Sequence, residues 1–273
     1  DDGLGFDYKW NMGWMNDFTE FMRYDPYFRG QHYGELTFSM IYAYSERFML
    51  IFSHDEVVHG KATMIGKMPG ERKDKFANLR AAYGYMFTHP GKLLSFMGQD
   101  LAEFDEWNEK REIEWDLLQY DEHRCFNTYI KDLLHFYKMH PALYELDNRA
   151  EGFEWINNIS ANENIIVFLR KSRDEKEVLL IVLNFANLSR ANYKIGVPFP
   201  GKYKEIFNSD MERYGGGAYQ NPRVKFSKVD ECDGREDSIR IKIAPLSMCI
   251  FLASKDEYED KISLKKNEKK RIW

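Results

Sequence analysis

Strand, helix and strand alternate through the first half of the chain, and that alternation admits few folds. Phe48-Met49-Leu50-Ile51-Phe52-Ser53 and Lys92-Leu93-Leu94-Ser95-Phe96-Met97 are short apolar runs bounded by polar or turn residues, as buried strands are. Gly5-Phe6-Asp7-Tyr8-Lys9-Trp10 is a shorter candidate that leaves strand and loop open. Glu35 to Glu46 and Asp74 to His89 carry helical periodicity, the second stopped by Pro90-Gly91. Such alternation predicts parallel strands joined by helical crossovers, the grammar of an α/β domain. Three parallel strands neither close a barrel nor cover both their faces, so the expected α/β unit is incomplete. The opening Asp1-Asp2-Gly3-Leu4, without Met or a leader-like run, leads to the expectation that residues upstream are missing.

A long amphipathic helix is predicted from about Cys125 to His140. Phe126, Tyr129, Ile130, Leu133, Leu134 and Tyr137 form its apolar stripe, and Pro141 ends it. Beyond it the grammar changes. Asn164 to Arg170 and Glu177 to Asn184 are apolar runs flanking the polar turn Lys171 to Lys176, the pattern of an antiparallel hairpin in a sandwich core. Further short strands are expected near Tyr193–Val197, Tyr203–Phe207, Ser238–Ile243 and Met248–Leu252, with Gly, Pro and Asn clustered between them. The boundary falls near 148–155. This gives an α/β part over 1–150, an antiparallel β-sandwich over 151–254 and a charged tail over 255–273. The tail is expected to fray, a basic binding arm at Lys265 to Arg271 being the sharper alternative.

Composition removes several classes of function. A net charge of −5 opposes a general nucleic-acid or membrane-surface role. No apolar run approaches the length of a membrane span. The three cysteines, Cys125, Cys232 and Cys249, are widely spaced with no CxxC pair; a disulfide framework or zinc site is not expected, and a cytoplasmic location is. An aromatic content of 16% suits sugar-ring stacking, although most of those rings belong in a core.

The chemistry concentrates at strand ends. Phe52-Ser53 runs directly into His54-Asp55-Glu56 and then His59. In a parallel α/β barrel the C-terminal strand ends carry the active site, so His54 and Asp55 would face its mouth. A carboxylate accepts two hydrogen bonds from neighbouring sugar hydroxyls and an imidazole donates one. A carboxylate there also stabilises an oxocarbenium-like transition state. The plain alternative is a polar turn with a satisfied histidine. A metal site from His54, Asp55, Glu56 and His59 matches no HExxH-type spacing. Asp55 and Glu56, as adjacent strand residues, would point apart and so do not make an acid–nucleophile pair. A second cluster, Gly98-Gln99-Asp100-Leu101-Ala102-Glu103-Phe104-Asp105-Glu106-Trp107-Asn108, follows the later strand. Gln99, Trp107 and the carboxylates either line a sugar cleft or pack a loop on its own aromatic. Trp10 and Trp14, four residues apart, read as core or helix face before sugar platform.

Phe52-Ser53-His54-Asp55-Glu56-Val57-Val58-His59-Gly60-Lys61 resembles the fourth of the short motifs of the α-amylase family, in the form seen in glycogen branching enzymes. Lys9-Trp10-Asn11-Met12-Gly13-Trp14, Asp25-Pro26-Tyr27-Phe28-Arg29, Lys75-Phe76-Ala77-Asn78-Leu79-Arg80, Pro90 to Gly98, Gly152-Phe153-Glu154-Trp155-Ile156 and Leu183-Asn184-Phe185 continue the likeness in order to about Ser254. The resemblance implies the C-terminal part of a (β/α)8 TIM barrel, entered near its sixth strand, followed by an all-β domain. It also implies a retaining, two-carboxylate transfer of an α-1,4-glucan segment to a glucan 6-hydroxyl, building glycogen branches. Asp55 matches the transition-state-stabilising carboxylate and His54 the neighbouring ring-binding histidine. Glu56, His59, Gln99 and Trp107 would then border the substrate. No metal or organic cofactor is implied.

One departure counts against activity of this chain by itself. The family's nucleophilic Asp and general-acid Glu belong to earlier motifs, and no acidic residue here has their context. Covalent catalysis is then expected to require the N-terminal half of the same enzyme. The rivals are a non-catalytic glucan-binding module and another α-amylase-family enzyme, a hydrolase or debranching enzyme.

Overall fold

The computed structural model describes residues 4–58 and 60–255. Apart from Lys255, the expected tail over 255–273 lies outside the described residues, as does His59. The first part contains β1 (Lys9–Trp10), α1 (Met12–Arg23), α2 (Tyr33–Thr37), β2 (Phe48–Phe52), α3 (Met64–Lys67), α4 (Arg72–Thr88), β3 (Lys92–Ser95) and α5 (Asp121–Met139). The second part contains β4 (Phe153–Asn157), β5 (Ile165–Lys171), β6 (Val178–Asn184), β7 (Arg190–Val197), β8 (Gly201–Asn208), β9 (Lys225–Phe226), β10 (Lys228–Cys232), β11 (Arg235–Ile243) and β12 (Ser247–Lys255).

β1, β2 and β3 form a three-stranded parallel sheet in that order, Leu50 opposite Leu93 and Ile51 opposite Leu94. Of the candidate strand Gly5–Trp10 only the last two residues pair, Lys9 with Phe48 and Trp10 with Met49. The segment Glu35 to Glu46 is not one helix: α2 stops at Thr37 and a 3-10 turn covers Phe38–Ile41. Leu36 and Ala43 are buried, but Phe38 and Ile41 in the 3-10 turn are exposed, and the tighter turn brings Ser39 inside against His89.

The second part is two antiparallel sheets, a six-stranded one in the order β4-β5-β6-β12-β8-β9 and a three-stranded one in the order β10-β11-β7. Ile165 pairs with Asn184 and Lys171 with Val178, the hairpin expected around the Lys171–Lys176 turn. Alternate residues of β5 and β6 enter different cores. Val167, Leu169, Leu180 and Val182 meet Ile195, Ile239 and Ile241 of the small sheet. Ile166, Phe168, Leu179 and Ile181 meet the helices of the first part. Burial on both faces explains why these strands are unbroken apolar runs without alternation. β10, β9 and β4 were not anticipated; β10 is exposed along most of its length and carries Lys, Asp and Glu, so no apolar pattern announces it. Lys255 ends β12 opposite Gly201, with its amine 5.5 Å from the Phe199 ring centroid, and is strand where a tail was expected.

Helix α4 lies between the two parts, buried on nearly every side from Asn78 to Thr88. Tyr83 packs edge-on against Phe52 on one side, and Tyr85 against Phe168 on the other. Gly84 allows this approach: a Cβ there would sit 2.9 Å from Met248 Sδ and 3.1 Å from the Tyr129 hydroxyl.

The junction is fastened by a buried ion cluster. Arg170 of β5 donates to the carbonyls of Thr88 at 2.6 Å, Leu143 at 3.0 Å and Gly152 at 3.3 Å, and to Asp147 Oδ1 at 2.8 Å. Asp147 Oδ2 accepts from Lys92 Nζ at 2.9 Å. Removing one member of a buried pair leaves an uncompensated charge, which costs about 3–5 kcal/mol. Arg170→Met is therefore expected to lower the unfolding free energy by that amount in urea, with Arg170→Lys failing to restore it because an ammonium cannot span all four acceptors. An unchanged urea midpoint in Arg170→Met would show that the cluster does not hold the junction.

His89, just after α4, gives the fold a pH dependence. Burial pushes its pKa down from 6.5 to about 3. Its ring contacts the Pro90 carbonyl through Nδ1 at 2.8 Å and the Ser39 hydroxyl through Nε2 at 2.9 Å. Between those two values the unfolded chain binds a proton that the folded chain excludes. The stability is thus fully present above 6.5 and is lost on acidification, by up to about 1.4 kcal/mol per pH unit. The thermal midpoint of the protein is expected to fall from about pH 6.5 to about pH 5, where carboxylates contribute little, and His89→Gln is expected to flatten that fall. Equal slopes in the two proteins would dissociate the effect from His89.

Candidate active site

The parallel sheet delivers its polar residues at one end. β2 stops at Phe52, and His54–Glu56 form a single 3-10 turn rather than a continuation of the strand, with Glu56 N donating to Ser53 O at 3.2 Å and Val57 N to His54 O at 3.0 Å. The turn separates the two carboxylates by burial. The Asp55 side chain is 50% exposed and lies 3.2 Å from His54 Nε2, whose ring side chain is 46% exposed. Glu56 is buried, with Oε1 3.6 Å from Lys61 Nζ.

Aromatic rings back this pair. The His54 ring lies 5.8 Å from Phe96 and 6.4 Å from Trp107, and Phe96 meets Trp107 edge-on at 5.3 Å. Trp107 N donates to Val57 O at 3.0 Å, so the loop after β3 is tied to the turn after β2. The structure thus brings His54, Asp55 and Trp107 together. Gln99 is buried beneath them: its Oε1 accepts from Phe96 N and Tyr83 OH, both at 3.1 Å, while its Nε2 finds no partner among the described residues.

The carboxylates of the second cluster hold the loop itself. Asp105 pairs with Arg111 at 3.0 Å, Glu103 accepts from Glu114 N at 3.0 Å, and Asp100 accepts from Asn127 Nδ2 at 2.9 Å. Glu106 accepts from Gly60 N at 2.7 Å and Ala62 N at 2.8 Å, cradling the backbone beside the His54–Glu56 turn. Trp14 is core, stacked on Phe18 and Phe52, while Trp10 is partly exposed on β1.

Lys67, which sequence reasoning missed, completes the cradle. Its amine donates to the carbonyls of Glu56, of Lys61 at 2.8 Å and of Ala62 at 2.7 Å. Burial pushes its pKa down to about 8, Arg23 adding to the effect. The only signal in the sequence is a lysine among Met64, Ile65 and Met68; its partners are backbone atoms that no side-chain pattern reveals. Hydrogen bonds from a charged donor contribute about 1.5–3 kcal/mol each. Lys67→Met is expected to speed amide exchange at Gly60 and Ala62 by about tenfold or more, leaving β5 and β6 unchanged. Unaltered exchange at both amides would mean that Lys67 does not hold this loop.

Known proteins resemble the chain in sequence and in fold. Residues 155–254 match the family described as alpha amylase, C-terminal all-beta domain. Solved structures resemble the chain at low identity. AmyP in complex with maltotriose superposes with a TM-score of 0.59 at 10% identity, over 91% of this chain and 50% of its own. An α-amylase from Geobacillus thermoleovorans complexed with acarbose gives 0.56 at 12%, over 92% and 49%. The fold is therefore of the α-amylase class. The sequence narrows it: the 1,4-alpha-glucan branching enzyme GlgB of Oceanobacillus iheyensis is 49% identical over 249 residues, and that of Halothermothrix orenii is 47% identical over the same length. The chain belongs to the 1,4-α-glucan branching enzyme family, to whose C-terminal part it corresponds. The match covers 91% of the chain, which spans only about two-fifths of these relatives, 39% and 40% of their lengths.

Proposed function

We propose that this chain forms part of an enzyme that transfers α-1,4-glucan segments to a glucan 6-hydroxyl, in cytoplasmic glycogen synthesis. The observation that carries the reading is the His54–Asp55 pair, half exposed at the C-terminal end of a parallel strand in a chain with branching-enzyme relatives. On this reading residues 1–150 supply the last three strands of a (β/α)8 barrel and 151–254 the all-β domain packed on it. Asp55 stabilises positive charge at the reacting sugar carbon, and His54 holds the same ring through a hydroxyl. Trp107 borders the sugar as an apolar wall, and Glu56, His59 and Gln99 are the remaining substrate-binding residues of this reading. Nucleophile and general acid come from polypeptide outside residues 1–273, and these residues alone do not catalyse transfer. Among the described residues no helix is long and apolar enough to cross a membrane.

The test is Asp55→Asn in the complete enzyme, assayed by the appearance of α-1,6 linkages in amylose. Loss of a preorganised charge at the transition state lowers the rate by about 10²–10³-fold or more. Branching at the unmodified rate would refute the role of Asp55. Release of short sugars in place of new branch points would make the enzyme a hydrolase.

A further inference from the structure

Between the His54–Glu56 turn and α3 the backbone is gripped both through its amides and through its carbonyls. Glu106 Oε2 accepts from Gly60 N and Oε1 from Ala62 N, and these two residues sit at positive φ, +84° and +61°. A non-glycine residue disfavours that φ, and a carboxylate taking its amide proton offsets the strain at Ala62. Lys67 takes the carbonyls of Glu56, Lys61 and Ala62. We infer that Lys67 is a positioning residue for the transfer reaction, acting through this clasp in its ammonium form. The inference rests on the reading of Asp55 given above.

The number of hydrogens decides which form of Lys67 fits. An ammonium has three N–H groups, and three carbonyl oxygens receive them here. A neutral amine has two and turns its lone pair toward the third oxygen, so loss of the proton replaces an attraction by a repulsion. The side chain is buried, which keeps water from supplying the missing donor. The consequence reaches the reacting centre within one residue. Glu56 follows Asp55 directly; Lys67 holds the Glu56 carbonyl, and Trp107 N holds the next one, Val57 O, at 3.0 Å. Those two bonds fix the exit of the turn that presents the half-exposed Asp55 carboxylate. Misplacing a reacting group by about 1 Å lowers a rate by about 10²-fold.

Charged groups face the amine from each neighbouring element. Arg23 of α1 donates to Lys61 O at 3.3 Å and pairs with Glu20 at 3.4 Å. Lys61 lies 3.6 Å from Glu56 Oε1. From α4, Lys75 donates to Gly66 O at 3.5 Å and to Met68 O, at the end of α3. On the loop after β3, Arg111 donates to Glu106 O at 3.3 Å. Burial is the largest influence and pushes the Lys67 pKa down to about 8; Arg23 and Lys61 act in the same direction, while Glu56 and Glu106 oppose them. The ammonium is therefore kept at neutral pH and lost as the pH rises through about 8, so the clasp fails on the alkaline side, opposite to the acid dependence of His89.

The test is the pH profile of kcat in the full enzyme, read as new α-1,6 linkages in amylose. The unmodified enzyme is expected to lose rate with a midpoint near pH 8. Lys67→Met is expected to lower kcat at neutral pH by about 10–100-fold with KM changed less than about twofold, and to lack that alkaline loss. Glu106→Gln withdraws one acceptor from the same backbone and a charge that favours the ammonium. It is expected to lower kcat and to move the midpoint to lower pH, and it carries the test if Lys67→Met does not fold. A Lys67→Met enzyme with the unmodified kcat or the unmodified alkaline midpoint overturns the inference, and so does a Glu106→Gln enzyme unchanged in both. Loss of rate and of the alkaline midpoint in Lys67→Met beside an active Asp55→Asn keeps Lys67 as a positioning residue and removes Asp55 from the reacting centre; the reverse pattern removes Lys67 alone.

Discussion

Asp147 bears more of the structure than its place in an irregular connection suggests. Its buried carboxylate is shared by Arg170 of the large sheet and Lys92 at the start of β3, so one acceptor joins the antiparallel and parallel parts of the chain. The guanidinium it neutralises also takes the carbonyls of Thr88, Leu143 and Gly152, which are the end of α4, the turn after α5 and the entry to β4. Such an arginine is tolerable in a core only because every direction it points in offers an oxygen. Two further buried arginines reach backbone carbonyls along the same junction, Arg29 donating to Phe185 O and Arg80 to Tyr214 O at 3.1 Å, each with an Nε that meets no hydrogen-bond partner among the described residues. Arg29 is fully buried, and that burial pushes its guanidinium below the ordinary arginine value.

The sandwich consequently does more than follow the parallel sheet. Its large sheet covers α1 and α4 on the side away from β2, and those helices would otherwise show Phe18, Phe21 and Tyr85 to water. The rings of Trp14, Phe18, Phe52, Tyr85 and Phe185 form one continuous contact from strand β2 to the end of β6. The His54–Asp55 turn grows directly from the end of β2, and the loops that hold it are fixed by Lys67, Glu106 and the Trp107 backbone. A rigid sheet end with a doubly cradled loop places two polar side chains in solvent without leaving their backbone free, the condition for a preorganised site.

Much of this was legible. The strands of the hairpin Ile165–Lys171 and Val178–Asn184 and the helices Arg72–Thr88 and Asp121–Met139 lie within a few residues of their sequence reading, because long apolar runs, the stops at Pro90 and Pro141 and the apolar stripe of the second helix leave little choice. What was illegible shares a cause. The Glu35–Glu46 segment has helical spacing yet splits at Phe38, since no partner surface covers Phe38 or Ile41 among the described residues. β10 is strand only because β11 pairs with it, with Lys228 opposite Ser238. The sequence left Glu103, Asp105 and Glu106 open between lining a sugar cleft and packing a loop; backbone amides and Arg111 hold them through contacts across the loop.

By itself the sequence determined the two grammars of the chain, the order of its main strands and helices, and the short polar segment that follows Phe52. These are local properties: periodicity, turn residues and an ordered set of motifs are written in neighbouring positions. The tertiary structure alone decided that Asp55 is open while Glu56 is buried, that Gln99 braces a loop, and that Lys67 and Glu106 clasp one backbone from two sides. It also decided that Tyr27 and Asn187, which lie far apart in sequence, border one cleft. Those outcomes depend on which atoms meet after long-range closure, where a carbonyl or amide of any residue type serves as partner, so no pattern of side chains encodes them.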